Sequence, residues 1–131
     1  MILADTSAWV EFDRATGSAV DLRTVQLVDG DSELAVTEPV IMEVTAGART
    51  SQREHDLRRL LGRFHLLPFE VPTDFDGATG VYRTCRRAGV TPRGLIDCMI
   101  AAVALRHGAS LLQFDSDLAQ VARVMHLPLD G

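Results

Sequence analysis

The stretch Met1-Ile2-Leu3-Ala4-Asp5-Thr6-Ser7-Ala8-Trp9 decides the fold. Four apolar residues closed by an acid read as a short strand, and Thr6 or Ser7 then caps a helix through Trp9, Val10 and Phe12. The same order returns near the far end. Ser110-Leu111-Leu112-Gln113-Phe114 reads as a strand closed by Asp115, followed by a helix over 118–125. Working inward, the spacing predicts helices over 18–28, from a Thr37 cap to Gly47, and onward from a Ser51/Glu54 capping box. A Thr73/Asp76 capping box opens another helix that runs to Gly89, and the most apolar helix covers 95–106, closed by His107-Gly108. Strands are expected at 34–36 and 65–69, an edge strand at 127–129, and a turn at Asp29-Gly30-Asp31. Short strands alternating with helices define an α/β class: one domain over 1–131, with a short, mostly parallel central sheet flanked by helices.

Composition narrows the function. Among 131 residues, 47% are hydrophobic, which excludes a disordered chain. The apolar run Met99–Leu105 has seven residues, far short of the roughly 20 of a membrane span. No signal-peptide pattern opens the chain, because Asp5 and Glu11 interrupt it, so a soluble, cytoplasmic protein is expected. Cys85 and Cys98 lack any metal-type spacing and are expected to be buried free thiols. The four histidines are scattered, and neither a Gly-rich phosphate loop nor a Ser/His/Asp relay is present.

The net charge is −5, but the sign changes along the chain. Residues 1–43 carry nine acids against two Arg, whereas 44–109 carry ten Arg against six acids. All 13 basic residues are Arg, whose planar forks suit phosphate or carboxylate partners. Arg49, Arg53, Arg83, Arg86, Arg87 and Arg93 are the candidate phosphate contacts.

Four acids stand in unusual company. Asp5 and Asp115 close strands, and in an open parallel sheet ligands collect beyond the carboxyl ends of the strands. Glu43 is the lone charge in Pro39-Val40-Ile41-Met42-Glu43-Val44, and Asp97 is isolated in Leu95-Ile96-Asp97-Cys98-Met99-Ile100. Converging carboxylates repel one another, and without any Lys in the chain a hard divalent cation resolves the clash. Plainer accounts exist for each acid: helix caps for Asp5 and Asp115, a first-turn acid at Asp117, pairing of Asp97 with Arg93 or Arg106, and solvent for Glu43.

These motifs, in this order, resemble the PIN-domain ribonucleases, specifically the toxin half of VapBC-type toxin–antitoxin pairs. The likeness rests on the Asp5-Thr6-Ser7 opening, the helix carrying Glu43, the helix Asp97-Cys98-Met99-Ile100-Ala101, and the turn Phe114-Asp115-Ser116-Asp117. The resemblance implies a centre of Asp5, Glu43, Asp97 and Asp115 holding Mg²⁺, or Mn²⁺, with Asp117 as a fifth acidic member. It implies hydroxyls of Thr6 and Ser7 beside that centre, where Arg93 is the candidate substrate contact from the basic set above. It further implies endonucleolytic hydrolysis of RNA, with loops of tRNA or rRNA as candidate targets. A cognate antitoxin and a homodimer are its implied partners, with Trp9 and Phe12 either part of the antitoxin surface or core. Three positions depart from the family pattern: Gly94, Phe114 and Leu118. Two other readings compete: a catalytically silent PIN-like binding module, and a receiver-type phospho-accepting domain, which normally needs a Lys this chain lacks.

Overall fold

Ile2, Leu3 and Ala4 are all buried, although neighbours along a strand point to opposite faces. Leu34, Ala35 and Val36 show the same pattern, so both faces of the sheet are covered. The computed structural model describes residues 1–30 and 33–130. In chain order the elements are β1 (Ile2–Ala4), α1 (Thr6–Arg14), α2 (Ala19–Asp29), β2 (Leu34–Val36), α3 (Glu38–Ala46) and α4 (Ser51–Leu61). Then follow β3 (His65–Leu66), α5 (Thr73–Arg87), α6 (Leu95–His107), β4 (Ser110–Leu112) and α7 (Ser116–Val124).

The four strands form one parallel sheet in the order β3-β2-β1-β4, with Ile2 opposite Leu34 on one side and Ser110 on the other. The chain moves outward from β1 through β2 to β3, then crosses back to place β4 on the other side of β1. Strand order therefore reverses at β1, and that reversal opens a crevice at the carboxyl ends of β1 and β4. The Asp5 N–H donates to the Leu112 carbonyl at 3.0 Å, holding those two strand ends together.

Helix α6 is the central pillar, with Ile100, Ala101, Val103 and Ala104 fully buried. Helix α5 packs along it so closely that a Cβ at Gly77 would lie 3.2 Å from that of Ala102. Gly108 closes α6 at φ +63, a conformation that costs other residues strain. Cys85 and Cys98 are buried and unbonded to each other, as expected. Trp9 is core: it is 2% exposed and stacks with Phe64 at 5.5 Å and edge-on with Phe12 at 5.8 Å.

Several boundaries differ from expectation, each for a local reason. Of the caps the sequence offered for α1, Asp5 is the one used, not Thr6 or Ser7; its side chain accepts from the Ala8 N–H. Thr50, not Ser51, caps α4 by accepting from Arg53. The Thr73/Asp76 box does not form. Pro72 occupies the cap position of α5, and Asp74 accepts from the Glu70 N–H at 2.7 Å. Strand β3 stops at Leu66, because Pro68 has no N–H and that of Phe69 goes to the Glu38 side chain at 2.8 Å. Strand β4 stops at Leu112, since the Phe114 N–H turns to Ser7. The edge strand over 127–129 reduces to a single bridge between Leu111 and Leu129. Part of the turn expected at Asp29-Gly30-Asp31 lies outside the described residues, and α2 itself runs through Asp29.

Candidate metal centre

Four distant segments bring carboxylates to the crevice. Asp5 follows β1, Glu43 sits on α3, Asp97 lies in the first turn of α6, and Asp115 caps α7. All four line one cavity of ≈ 320 Å³, together with Thr6, Ser7, Val10, Glu11 and Phe114. No basic residue is among those lining it. Glu11 was not legible as a site residue, although its i,i+4 spacing from Ser7 along α1 is the signal that places it on the same face.

The hydrogen bonds sort the oxygens. Asp5 is 3% exposed, and its Oδ1 accepts from the Ser7 hydroxyl at 2.7 Å and the Ala8 N–H at 3.3 Å. Glu43 Oε1 accepts from the Thr6 hydroxyl at 2.6 Å. Asp115 Oδ1 accepts from the N–H groups of Asp117 and Leu118 at 2.8 and 3.3 Å. Each of these three carboxylates thus spends one oxygen on the protein and keeps the other, while no donor among the described residues reaches Asp97. Thr6 and Ser7 line the same cavity, and their hydroxyls donate to Glu43 and Asp5.

The centre is strained electrostatically. Burial pushes the Asp5 carboxyl up to about 6, against the lowering effect of its hydrogen bonds from Ser7 and Ala8. Burial also pushes Asp97 up to about 7, reinforced by the charges of Asp115, Asp5, Glu43 and Asp117. The carboxylates line the cavity without closing on one another: among the described residues, no three acidic, His or Cys side chains are already gathered into a ligand cage.

The cations distribute unevenly. Arg93 reaches the rim, where its guanidinium donates to Asp115 Oδ1 at 3.2 Å and lies 3.8 Å from Asp117, whose Oδ2 accepts the Arg93 N–H at 3.0 Å. Its side chain is 73% exposed, so this pair is weak. Asp97 pairs with neither Arg93 nor Arg106; the latter is taken by Asp74. Arg49 and Arg53 line a groove of ≈ 520 Å³ that runs past Trp9 and Val44 to Glu43, with Arg53 ion-paired to Asp13. Arg83, Arg86 and Arg87 lie at the end of α5, which contributes nothing to the acidic cavity, and Arg86 rests over the Tyr82 ring at 5.9 Å.

Oxygen-only donors around a cavity that the exposed Arg93 reaches only at its rim suit a hard divalent ion such as Mg²⁺ or Mn²⁺. Residues 2–124 match the PIN domain, and the chain belongs to that family as a VapC-type member. It is 44% identical to the VapC ribonuclease Mb1587 of Mycobacterium bovis and to Ribonuclease VapC11 of Mycobacterium tuberculosis, over 97% of this chain and 96% of each relative. VapBC2 from Rickettsia felis, solved bound to a DNA fragment from its promoter, shares the fold at TM-score 0.76 and 17% identity, covering 99% of this chain and 98% of that one. Among the described residues no helix is long and apolar enough to cross a membrane.

Proposed function

We propose that this protein is a divalent-metal-dependent endoribonuclease, the toxin of a type II pair, which hydrolyses RNA phosphodiester bonds and is neutralised by a cognate antitoxin. The observation that carries this reading is the set of four carboxylates around one cavity, three keeping an oxygen unbonded and one unbonded altogether. A 44% identity to VapC ribonucleases along nearly the whole chain supports the same conclusion. A silent binding module has no use for four mutually repelling acids, and this chain lacks the Lys that a receiver domain needs.

Asp5 and Asp97 are the residues that would hold the ion, with Glu43 and Asp115 completing the negative shell. When bound, a divalent ion supplies Lewis acidity: it acidifies a water and offsets the charge that builds on phosphoryl oxygens. The rest falls to the chain. Thr6 and Ser7 fix the rotamers of Glu43 and Asp5, so these carboxylates present a constant oxygen to the cavity. Asp97, raised to about 7, holds a proton near neutrality when nothing offsets its neighbours, and surrenders it as positive charge arrives. Asp117 anchors the Arg93 backbone, holding the guanidinium at the rim, where it meets an incoming phosphate. The single-stranded or looped form of RNA fits an open crevice best, because its phosphates and bases can be splayed apart.

RNA incubated with the full chain and Mg²⁺ is expected to acquire new 5′-phosphate ends, read by end-specific sequencing, and none in EDTA. Equal cleavage in EDTA would remove the metal from the account.

A further inference from the structure

We propose that Phe114 is a base-stacking residue that sets the enzyme's preference for unpaired RNA; this rests on the ribonuclease reading above. Of the five phenylalanines, Phe12, Phe64 and Phe69 pack against the core, and Phe75 meets the Phe69 ring at 4.9 Å. Phe114 has neither kind of support among the described residues. Its side chain is 58% exposed, yet it lines the acidic cavity beside Asp5, Asp97 and Asp115. A single exposed apolar residue is ordinary by itself. What sets this one apart is how its backbone is tied.

The Phe114 N–H donates to Ser7 Oγ at 2.7 Å, and that hydroxyl donates in turn to Asp5 Oδ1 at 2.7 Å. One residue on, the Asp115 N–H donates to Gln113 Oε1 at 2.6 Å. The ring is thus carried on a segment registered to two of the four acids, so its base lies beside the phosphate that those acids address. Stacking on an aromatic face tolerates every base but requires that the base be unpaired, which a duplex forbids. Apolar contact without a π face does not substitute.

The test uses the full-length protein with Ca²⁺ in place of Mg²⁺ and a labelled single-stranded RNA 12-mer of randomised sequence, with a perfect duplex as comparison. Phe114→Ala is expected to weaken single-strand binding about tenfold, with its melting temperature and its duplex binding unchanged. Phe114→Leu should be as weak as Phe114→Ala. Phe114→Trp should bind like the wild type, and its added indole should lose emission on binding, while the buried Trp9 does not respond. Leu restoring affinity, or Ala leaving it intact in a protein that does bind RNA, would overturn the stacking role alone. An Ala variant that binds RNA normally but resists inhibition by a co-expressed antitoxin would make the ring a protein contact instead, and overturn it too. A wild-type chain that neither binds nor cleaves RNA brings down the ribonuclease reading, and this proposal with it.

Discussion

Replacing Asp97 by Asn is expected to abolish Mg²⁺-dependent RNA cleavage, by at least about a thousandfold, and to make the metal-free protein more stable at pH 8. The two effects share one cause. Asp97 stands half-buried among Asp115, Asp5, Glu43 and Asp117, with no hydrogen-bond donor among the described residues to support its charge. Losing that charge removes a hard ligand, and several kcal/mol of metal-supplied transition-state stabilisation corresponds to roughly three orders of magnitude in rate. The stability effect follows from linkage. The folded carboxyl titrates at about 7, above its unfolded value of 3.8, so the fold favours the protonated form. Wild-type stability therefore falls as pH rises from about 4 to 7 and stays low above that. Asn escapes the penalty. Because Asp97 is only half-buried, solvent screening trims the gain at pH 8 to on the order of 1–2 kcal/mol, and the two proteins converge below about pH 4. Urea unfolding at pH 4 and pH 8 in EDTA, beside a cleavage assay, measures both. A variant that cuts RNA at the wild-type rate contradicts the assignment.

The second large effect lies away from the cavity. Arg106, near the end of α6, grips Asp74 with both forks, Nε to Oδ1 at 2.9 Å and Nη2 to Oδ2 at 2.7 Å, and also donates to the Pro68 carbonyl at 2.6 Å. Asp74 is 2% exposed, and the Arg106 guanidinium holds its carboxyl below the usual range. Arg106→Ala leaves a buried carboxylate unpaired, and the start of α5 loses its tie to α6. About 2–4 kcal/mol of stability is expected to go, part of the full cost of an orphaned charge being screened through the partly open Arg side. Arg106→Lys should recover only a fraction, since an ammonium cannot fork across both oxygens. The sign of the pH dependence is opposite to that of Asp97. The folded carboxyl is depressed, so the contribution is present above the unfolded value near 4 and is lost as pH falls through the folded one. The wild-type and Ala denaturation midpoints should therefore differ at pH 7 and approach each other in strong acid. Coincident midpoints at pH 7 would show that the clamp carries no stability.

The contrast between these two acids marks how far the sequence could be read. Asp5, Glu43, Asp97 and Asp115 stand out because an acid among apolar residues is a local signal, visible in a window of six. The parallel sheet is visible for the same reason, from short apolar runs separated by helical spacing. Asp74 offered no such signal: it stands in the mixed run Val71-Pro72-Thr73-Asp74-Phe75-Asp76, and its partner is an arginine 32 residues away. The pairing of Thr6 with Glu43 spans 37 residues, and that of Ser7 with Phe114 spans 107, so neither could be seen before the chain is folded. Helix starts differ from their spacing for a related reason. Ser51/Glu54 and Thr73/Asp76 have the right spacing for capping boxes, but the Glu54 N–H goes to the Thr50 carbonyl and the Asp76 N–H to that of Pro72. Spacing identifies a set of possible partners, and only the fold selects among them.

The proposed activity requires these four acids to share one divalent ion. Crystals of the full chain soaked in Mn²⁺ and measured at the manganese absorption edge test it most directly. An anomalous peak about 2.1–2.2 Å from carboxylate oxygens of Asp5 and Asp97, with Glu43 and Asp115 turned toward it, is the predicted result. Full-occupancy Mn²⁺ at some other surface, with these acids still held by Thr6, Ser7 and Arg93 and nothing between them, would contradict it.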